Sequence, residues 1–189
     1  MPSIAAALLT IATSLQAQQI AVAEYAVPTA AAGPNEIAMG PDGALWFTEF
    51  NGNKIGRITT AGSLRKFPVP TARSIPDGIT AGPDGALWFT EFSGNKVGRI
   101  TTAGTITEYR VPTPASNPAE IAPGPDGALW FTEYSGNKIG RITTAGVIAE
   151  YPVPTPASLR MASPPGPTAR CGLPNIMPAR SDASPLPVW

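Results

Sequence analysis

A block of 42 residues is written three times in this chain, and that period decides what the chain can fold into. The string GPDGALWFTE starts at Gly40, at Gly82 and at Gly124. Behind each copy come GNK and then IGRITTAG or VGRITTAG. A fixed period of roughly 20–50 residues marks a repeat architecture, in which one supersecondary unit covers the apolar face of the next. A fourth copy is expected to begin at Gly166, where the chain reads SPPGPTARCGLPN instead.

The unit reads as all-β. Pro41-Asp42-Gly43 is turn chemistry, since proline presets φ and glycine accepts a positive one. Leu45, Trp46 and Phe47 follow as a short apolar strand. Asn51-Gly52-Asn53 makes the next turn, and Lys54 to Thr59 the next strand. Ala61-Gly62 turns again before a strand over Leu64 to Val69, where Pro68 predicts a sheet edge. Ile37 to Met39 supplies the remaining strand. Four short strands per unit describe one blade of a β-propeller. A β-solenoid is the rival, but Asp-Gly and Asn-Gly signals favour antiparallel hairpins. No segment longer than about ten residues keeps a helical period after residue 24. The expected fold is an incomplete propeller of three four-stranded blades with one leading strand. That strand is Glu24-Tyr25-Ala26-Val27-Pro28-Thr29, which matches the segments at Glu108 and Glu150.

Trp46, Trp88 and Trp130 recur on the second strand of each unit, where a large ring packs one blade on its neighbour. A stacking platform for a sugar or an aromatic ligand is the weaker reading of these rings. Arg57, Arg99 and Arg141 read as a repeated structural pairing or a solvated edge.

Composition excludes several classes. There are 13 basic and 13 acidic residues, so charge points to neither nucleic acid nor an acidic membrane surface. There is no histidine, and Cys171 is the single cysteine. A Cys/His zinc site and an intrachain disulfide are therefore excluded for this sequence.

The two ends read differently from the middle. Ile4 to Leu15 is apolar, and Ala21-Val22-Ala23 has the small-x-small form of a cleavage site, so residues 1–23 read as a secretory signal peptide. No Lys or Arg precedes the apolar run, which is too short to span a membrane. The expected destination is secreted or periplasmic. Residues 160–189 hold seven prolines and no tyrosine or phenylalanine, the composition of a disordered Pro-rich tail. The genetic code gives them a sharper reading. One base added before the Arg160 codon allows the tail to be read as PHGITAGPDGALWFTE and onward through a further repeat. The tail thus reads as a frameshifted fourth repeat, with histidines restored in the places of Met161, Ile176 and Met177.

GPDGALWFTE, NKIGRITTAG and the EYxVPTP linker resemble the virginiamycin B lyase (streptogramin B lyase) family, over residues 24–159. The resemblance implies a seven-bladed ring with a magnesium-dependent site at its centre, and an antibiotic-resistance activity. The implied reaction opens a cyclic depsipeptide by elimination across its ester C–O bond, with a general base taking an α-proton. The family's catalytic histidines stand after a proline that opens a blade. Here those places hold Asn35, Asp77 and Ala119. A metal-binding glutamate precedes that proline in the family, and here Gly33, Ile75 and Asn117 stand there. The family's second metal-binding glutamate matches Glu49, Glu91 and Glu133 by register, although their presence in every blade equally fits a rim or turn-capping acid. The expectation is a chain with no catalytic residue of its own, magnesium implied by the resemblance alone and not bound by this fragment, and self-association through open blade edges. A small-molecule or peptide ligand belongs to the intact ring. The alternative is an exported propeller that binds or scaffolds without catalysis. The near-identity of the repeats favours it, since the units differ mainly at positions such as 35, 77 and 119, taken as loop positions.

Overall fold

The computed structural model describes residues 22–154. All but the last two residues of the leader, and the whole proline-rich tail, lie outside the described residues. Blade 1 holds β1 (Pro34–Met39), β2 (Leu45–Glu49), β3 (Lys54–Ile58) and β4 (Leu64–Pro68). Blade 2 holds β5 (Pro76–Ala81), β6 (Leu87–Glu91), β7 (Lys96–Ile100) and β8 (Ile106–Arg110). Blade 3 holds β9 (Pro118–Pro123), β10 (Leu129–Glu133), β11 (Lys138–Ile142) and β12 (Ile148–Pro152). Each blade is an antiparallel meander with its strands in chain order. Pro68 and Pro152 sit in the outermost strands, where a missing N–H costs no ladder bond. The sheets do not close on one another, so the architecture is an open arc of a β-propeller.

The hairpins follow from the sequence. Gly43, Gly85 and Gly127 take φ of 72°, 73° and 72°, the left-handed turn position that glycine occupies at little cost. Asp42 then does three things from one carboxylate. Its Oδ1 accepts from the Trp46 indole N–H at 3.0 Å, and its Oδ2 accepts from Arg57 Nε at 2.7 Å. The same oxygen as the first also takes a long bond, 3.4 Å, from the Ala44 amide. Asp84 and Asp126 repeat the pattern with Trp88 and Arg99, and with Trp130 and Arg141. Each tryptophan stacks on an outer-strand ring, Trp46 on Phe67 at 5.5 Å and Trp88 on Tyr109 at 5.6 Å. Each carries its arginine on the ring, with Arg57 5.8 Å from the Trp46 centroid. The expected arginine pairing is thus observed, and its partner is the turn aspartate. The tryptophans are core, with Trp46 and Trp88 fully buried.

Packing between blades is apolar and repeats. Trp46, Ile55 and Val69 of blade 1 meet Ile79, Leu87, Phe89 and Ile100 of blade 2. Trp88, Val97 and Val111 of blade 2 meet Ile121, Leu129, Phe131 and Ile142 of blade 3. Polar bonds fix the register across these seams. Thr48 Oγ1 donates to the Asp77 carbonyl at 2.8 Å, and Thr90 Oγ1 donates to the Ala119 carbonyl. At the outer rim Glu108 accepts from the Thr71 amide and hydroxyl, both at 2.9 Å. Glu150 receives Thr113 in the same way.

Residues 22–28 form no strand. Tyr25 nevertheless lies over Gly62, as Phe67 lies over Gly104 and Tyr109 over Gly146. The leading segment therefore takes the place of a preceding blade's outer strand without that blade's inner strands.

Gly56, Gly98 and Gly140 face Phe47, Phe89 and Phe131 across the central hairpin, and a β-carbon there would fall inside the ring. We expect Gly98→Ala to destabilise the arc by about 1–3 kcal/mol, the usual cost of overpacking a rigid core. Urea denaturation followed by tryptophan fluorescence measures it, and an unchanged midpoint would contradict this packing.

Candidate functional site

Two sets of carboxylates occupy positions with chemical potential. The first is Glu49, Glu91 and Glu133, at the ends of β2, β6 and β10. They are neither rim nor turn-capping acids. Their exposures are 0%, 0% and 2%, and none of their carboxylate oxygens meets a hydrogen-bond donor. The loop that follows folds down over each one. In blade 2 the Phe92 amide donates to the Ile75 carbonyl, and the Ser93 and Gly94 amides donate to the Ser74 carbonyl. A β-carbon on Gly94 would come within 2.7 Å of Glu91 Oε2, so glycine is what allows the loop to close. Ser74 lies beside Glu91, but its hydroxyl proton goes to Asn53 Oδ1 at 2.9 Å. Asn53 is itself held in place, its Nδ2 donating to the Val69 and Thr71 carbonyls.

Burial raises the pKa of two of these acids, Glu91 and Glu133. Burial pushes Glu91 up to about 8, the nearby Glu108 carboxylate adds to the rise, and Lys96 and Ser74 oppose it. Burial and then Glu150 push Glu133 up to about 7. Lys96 is already engaged, donating to Glu108 Oε2 and Thr71 Oγ1 at 2.5 Å each. Blade 1 departs from the pattern, because Lys66 stands where Glu108 and Glu150 stand and donates to Thr29 at 2.5 Å. The three glutamates lie in three separate blades. Among the described residues no group of three His, Cys, Asp or Glu side chains could hold a metal ion.

The second set lies on the innermost strands; positions 35, 77 and 119 are marked in the sequence by register, whereas Glu36 and Glu120 are not. Positions 35, 77 and 119 belong to β1, β5 and β9, not to loops. Asn35 Nδ2 donates to Asp77 Oδ1 at 2.6 Å. Beside them, Glu36 Oε2 accepts from the Ile79 amide at 2.7 Å and reaches across Gly78, which has no side chain to stop it. Burial, and then Glu120 and Asp77, hold the Glu36 carboxyl above its usual range. Burial, and then Glu120, do the same for Asp77. The visible signal was divergence. These strands read Asn-Glu, Asp-Gly and Ala-Glu, whereas the GPDGALWFTE and NK(I/V)GRITTAG blocks that follow are nearly constant. Gly33, Ile75 and Asn117, just before the blade-opening prolines, share left-handed φ of 57°, 55° and 52°. That backbone is costly for the β-branched Ile75.

The sign of the pH dependence follows from the buried acids. Glu91 and Glu133 have folded pKa values above the unfolded value near 4.5. Their stabilising effect is complete below that value and is lost as pH rises through about 7 and then about 8. We expect Glu91→Gln to leave stability nearly unchanged at pH 4.5. At pH 8 it should raise stability, on the order of a few kcal/mol. Thermal melts of both proteins across this range check it, and parallel pH profiles would contradict it.

The comparisons with known proteins agree with this geometry. The model of the virginiamycin B lyase family matches residues 12–172. Over 46 residues the chain is 54% identical to the virginiamycin B lyase of Bacillus licheniformis, covering 24% of this chain and 16% of that protein. A virginiamycin B lyase structure from Staphylococcus aureus superposes with a TM-score of 0.69 at 50% identity, over 70% of this chain and 45% of the other. A catalytically inactive variant from the same organism, solved with quinupristin, gives 0.67 at 52% identity, over 69% of this chain and 44% of that one. The chain spans less than half the length of these relatives. Blade architecture, the repeated motifs and half-identical solved relatives lead to one conclusion: the chain belongs to the virginiamycin B lyase family.

Proposed function

We propose that this chain is a three-blade portion of a streptogramin B lyase ring and that it performs no catalysis by itself. The observation that carries the first half is about 50% identity to lyase structures over 70% of the chain, combined with the same blade fold. In the intact ring a general base removes an α-proton, the ester C–O bond breaks, and the antibiotic opens into a dehydro residue and a free carboxylate. The parent and the product have the same mass.

Two features support the second half. The 189 residues contain no histidine, and neither tyrosine nor lysine at its ordinary pKa is an effective base near neutral pH. The donors present also do not fit magnesium. A hard divalent cation needs several converging oxygens. Glu49, Glu91 and Glu133 sit in separate blades, and Glu91, pushed up to about 8, favours a proton at neutral pH. No step is therefore routed through a metal here. A non-catalytic exported propeller remains the second reading, favoured by the near-identical Asp-Trp-Arg and Thr-Glu-Lys bonding in successive blades.

The test is incubation with a streptogramin B antibiotic and magnesium, followed by mass spectrometry with fragmentation. The 189-residue chain is expected to leave the ring closed, and turnover by it would overturn the proposal. A gene with one base added ahead of the Arg160 codon should give linearisation at unchanged mass only where its later blades supply both the histidine and the glutamate before the blade-opening proline. That activity should vanish when the histidine restored in the place of Met161 is replaced. A folded restored product without turnover would favour the scaffold.

A further inference from the structure

We propose that the outer rim of blade 1 binds a phosphate-type oxyanion between Lys54, Lys66 and Thr29, in the place where blades 2 and 3 each hold a carboxylate of their own. The inference goes beyond the lyase reading and does not depend on it.

Blades 2 and 3 show what this place accommodates. Glu108 Oε1 accepts from the Thr71 amide and its Oε2 from the Thr71 hydroxyl, both at 2.9 Å. Lys96 Nζ completes the set, 2.5 Å from Glu108 Oε2. In blade 3 Glu150 takes the Thr113 amide and hydroxyl at 2.8 Å each, and Lys138 Nζ at 2.8 Å. This donor set suits an anion. Burial pushes the Glu108 carboxyl up, yet Lys96 and the Thr71 amide and hydroxyl outweigh it and hold the group below its usual range. For Glu150 the same balance is struck by Lys138 and Thr113. Hydrogen bonds between charged partners are roughly twice as strong as neutral ones.

Blade 1 keeps the donors and reverses the charge of the acceptor. Lys54 pairs with Glu49 as Lys96 does with Glu91 and Lys138 with Glu133. Thr29 ends a Val-Pro-Thr segment, as do Thr71 and Thr113. Opposite Gly56, where Glu108 and Glu150 stand opposite Gly98 and Gly140, the residue is Lys66. Its Nζ donates to the Thr29 hydroxyl at 2.5 Å, which leaves that hydroxyl its own proton to donate. Among the described residues neither the Thr29 amide nor Lys54 Nζ meets an acceptor. Glu49 lies nearby, beneath Gly52 and beside Thr29, but it is fully buried and its oxygens take no donor. At most one negative charge thus faces two positive ones. Blade 1 reaches the blade 2 cluster with the neutral Asn53, on the Thr71 carbonyl at 3.0 Å, and the same turn asparagine recurs in every unit. A neighbouring blade therefore brings an amide to this place, not a carboxylate. A monocarboxylate would leave one of the two ammonium groups uncompensated. A phosphate dianion matches both, and its oxygens can take the amide and the hydroxyl as well.

Titration of the nitrogen-15-labelled 189-residue chain with inorganic phosphate, at constant ionic strength and near neutral pH, reads the site through its amide resonances. The Thr29 amide is expected to shift and saturate, while the Thr71 and Thr113 amides, already held by Glu108 and Glu150, stay in place. Lys66→Glu should abolish the response and move the Thr29 resonance toward those of Thr71 and Thr113. That change builds the bonding which blades 2 and 3 already carry, so the variant should fold. Lys54→Gln should weaken the apparent affinity by roughly two- to fivefold, the worth of one exposed charge pair. Acetate at the same ionic strength should move the same amide with lower affinity. Thermal melts give a second reading: replacing chloride by phosphate should raise the midpoint of the parent chain more than that of Lys66→Glu. A Thr29 shift that never saturates, an equal response at Thr71 and Thr113, or a response that survives Lys66→Glu would overturn the proposal. So would acetate binding as tightly as phosphate, or equal midpoint changes in the two proteins.

Discussion

Each blade in this protein is apolar on both faces, and neither face can be left to water. That constraint organises the rest. Trp46 and Trp88 close their seams with no exposed surface, while Trp130, on the last blade, is half-buried. The same side chain on the same strand is fully covered where the described residues place a following blade against it. A single blade has no independent core, so folding and blade-to-blade association are one event.

The repeated polar bonds give this apolar stacking its register. Hydrophobic contact alone would allow one blade to slide on the next. The turn aspartate prevents that within a blade by holding the indole N–H and the arginine together. Hydrogen bonds from Trp88 and Arg99 outweigh the effect of burial and hold Asp84 below its usual range. Between blades the threonine hydroxyls and Glu108 and Glu150 do the equivalent work. The buried Glu91 and Glu133 stand apart from this network. Burial raises the pKa of both, and their place under a closed loop explains why the GNK glycine follows in each unit.

The site of interest lies outside the constant part of the repeat. The two middle strands and their turns, GPDGALWFTE and NK(I/V)GRITTAG, carry the scaffold and barely vary. The innermost strands carry Asn35, Asp77, Glu36 and Glu120, which face one another only because three blades bring their first strands together. In a propeller a centre is a property of the ring, and no single unit contains it. An arc of three blades can therefore be a faithful piece of a lyase scaffold and still lack the convergence that chemistry needs.

The sequence by itself determined the blade. Its period, its Asp-Gly and Asn-Gly turns and its proline-marked edges located all twelve strands to within a few residues, because each is a local signal of turn chemistry and alternation. It also identified the tryptophans as core, and for the arginines it left pairing and a solvated edge open until the structure placed each on its turn aspartate. It did not reveal that Glu49, Glu91 and Glu133 are buried. An acid after a strand looks alike whether it caps a turn or lies beneath one, and only the folded loop over Gly52, Gly94 and Gly136 decides between them. Positions 35, 77 and 119 looked like loop because their side chains follow no pattern, yet they are strand. They lie in a bulge of each innermost strand, between ladder pairs such as Pro34 with Glu49 and Ile37 with Phe47, and that irregular pairing with β2, β6 and β10 exists only in the tertiary structure.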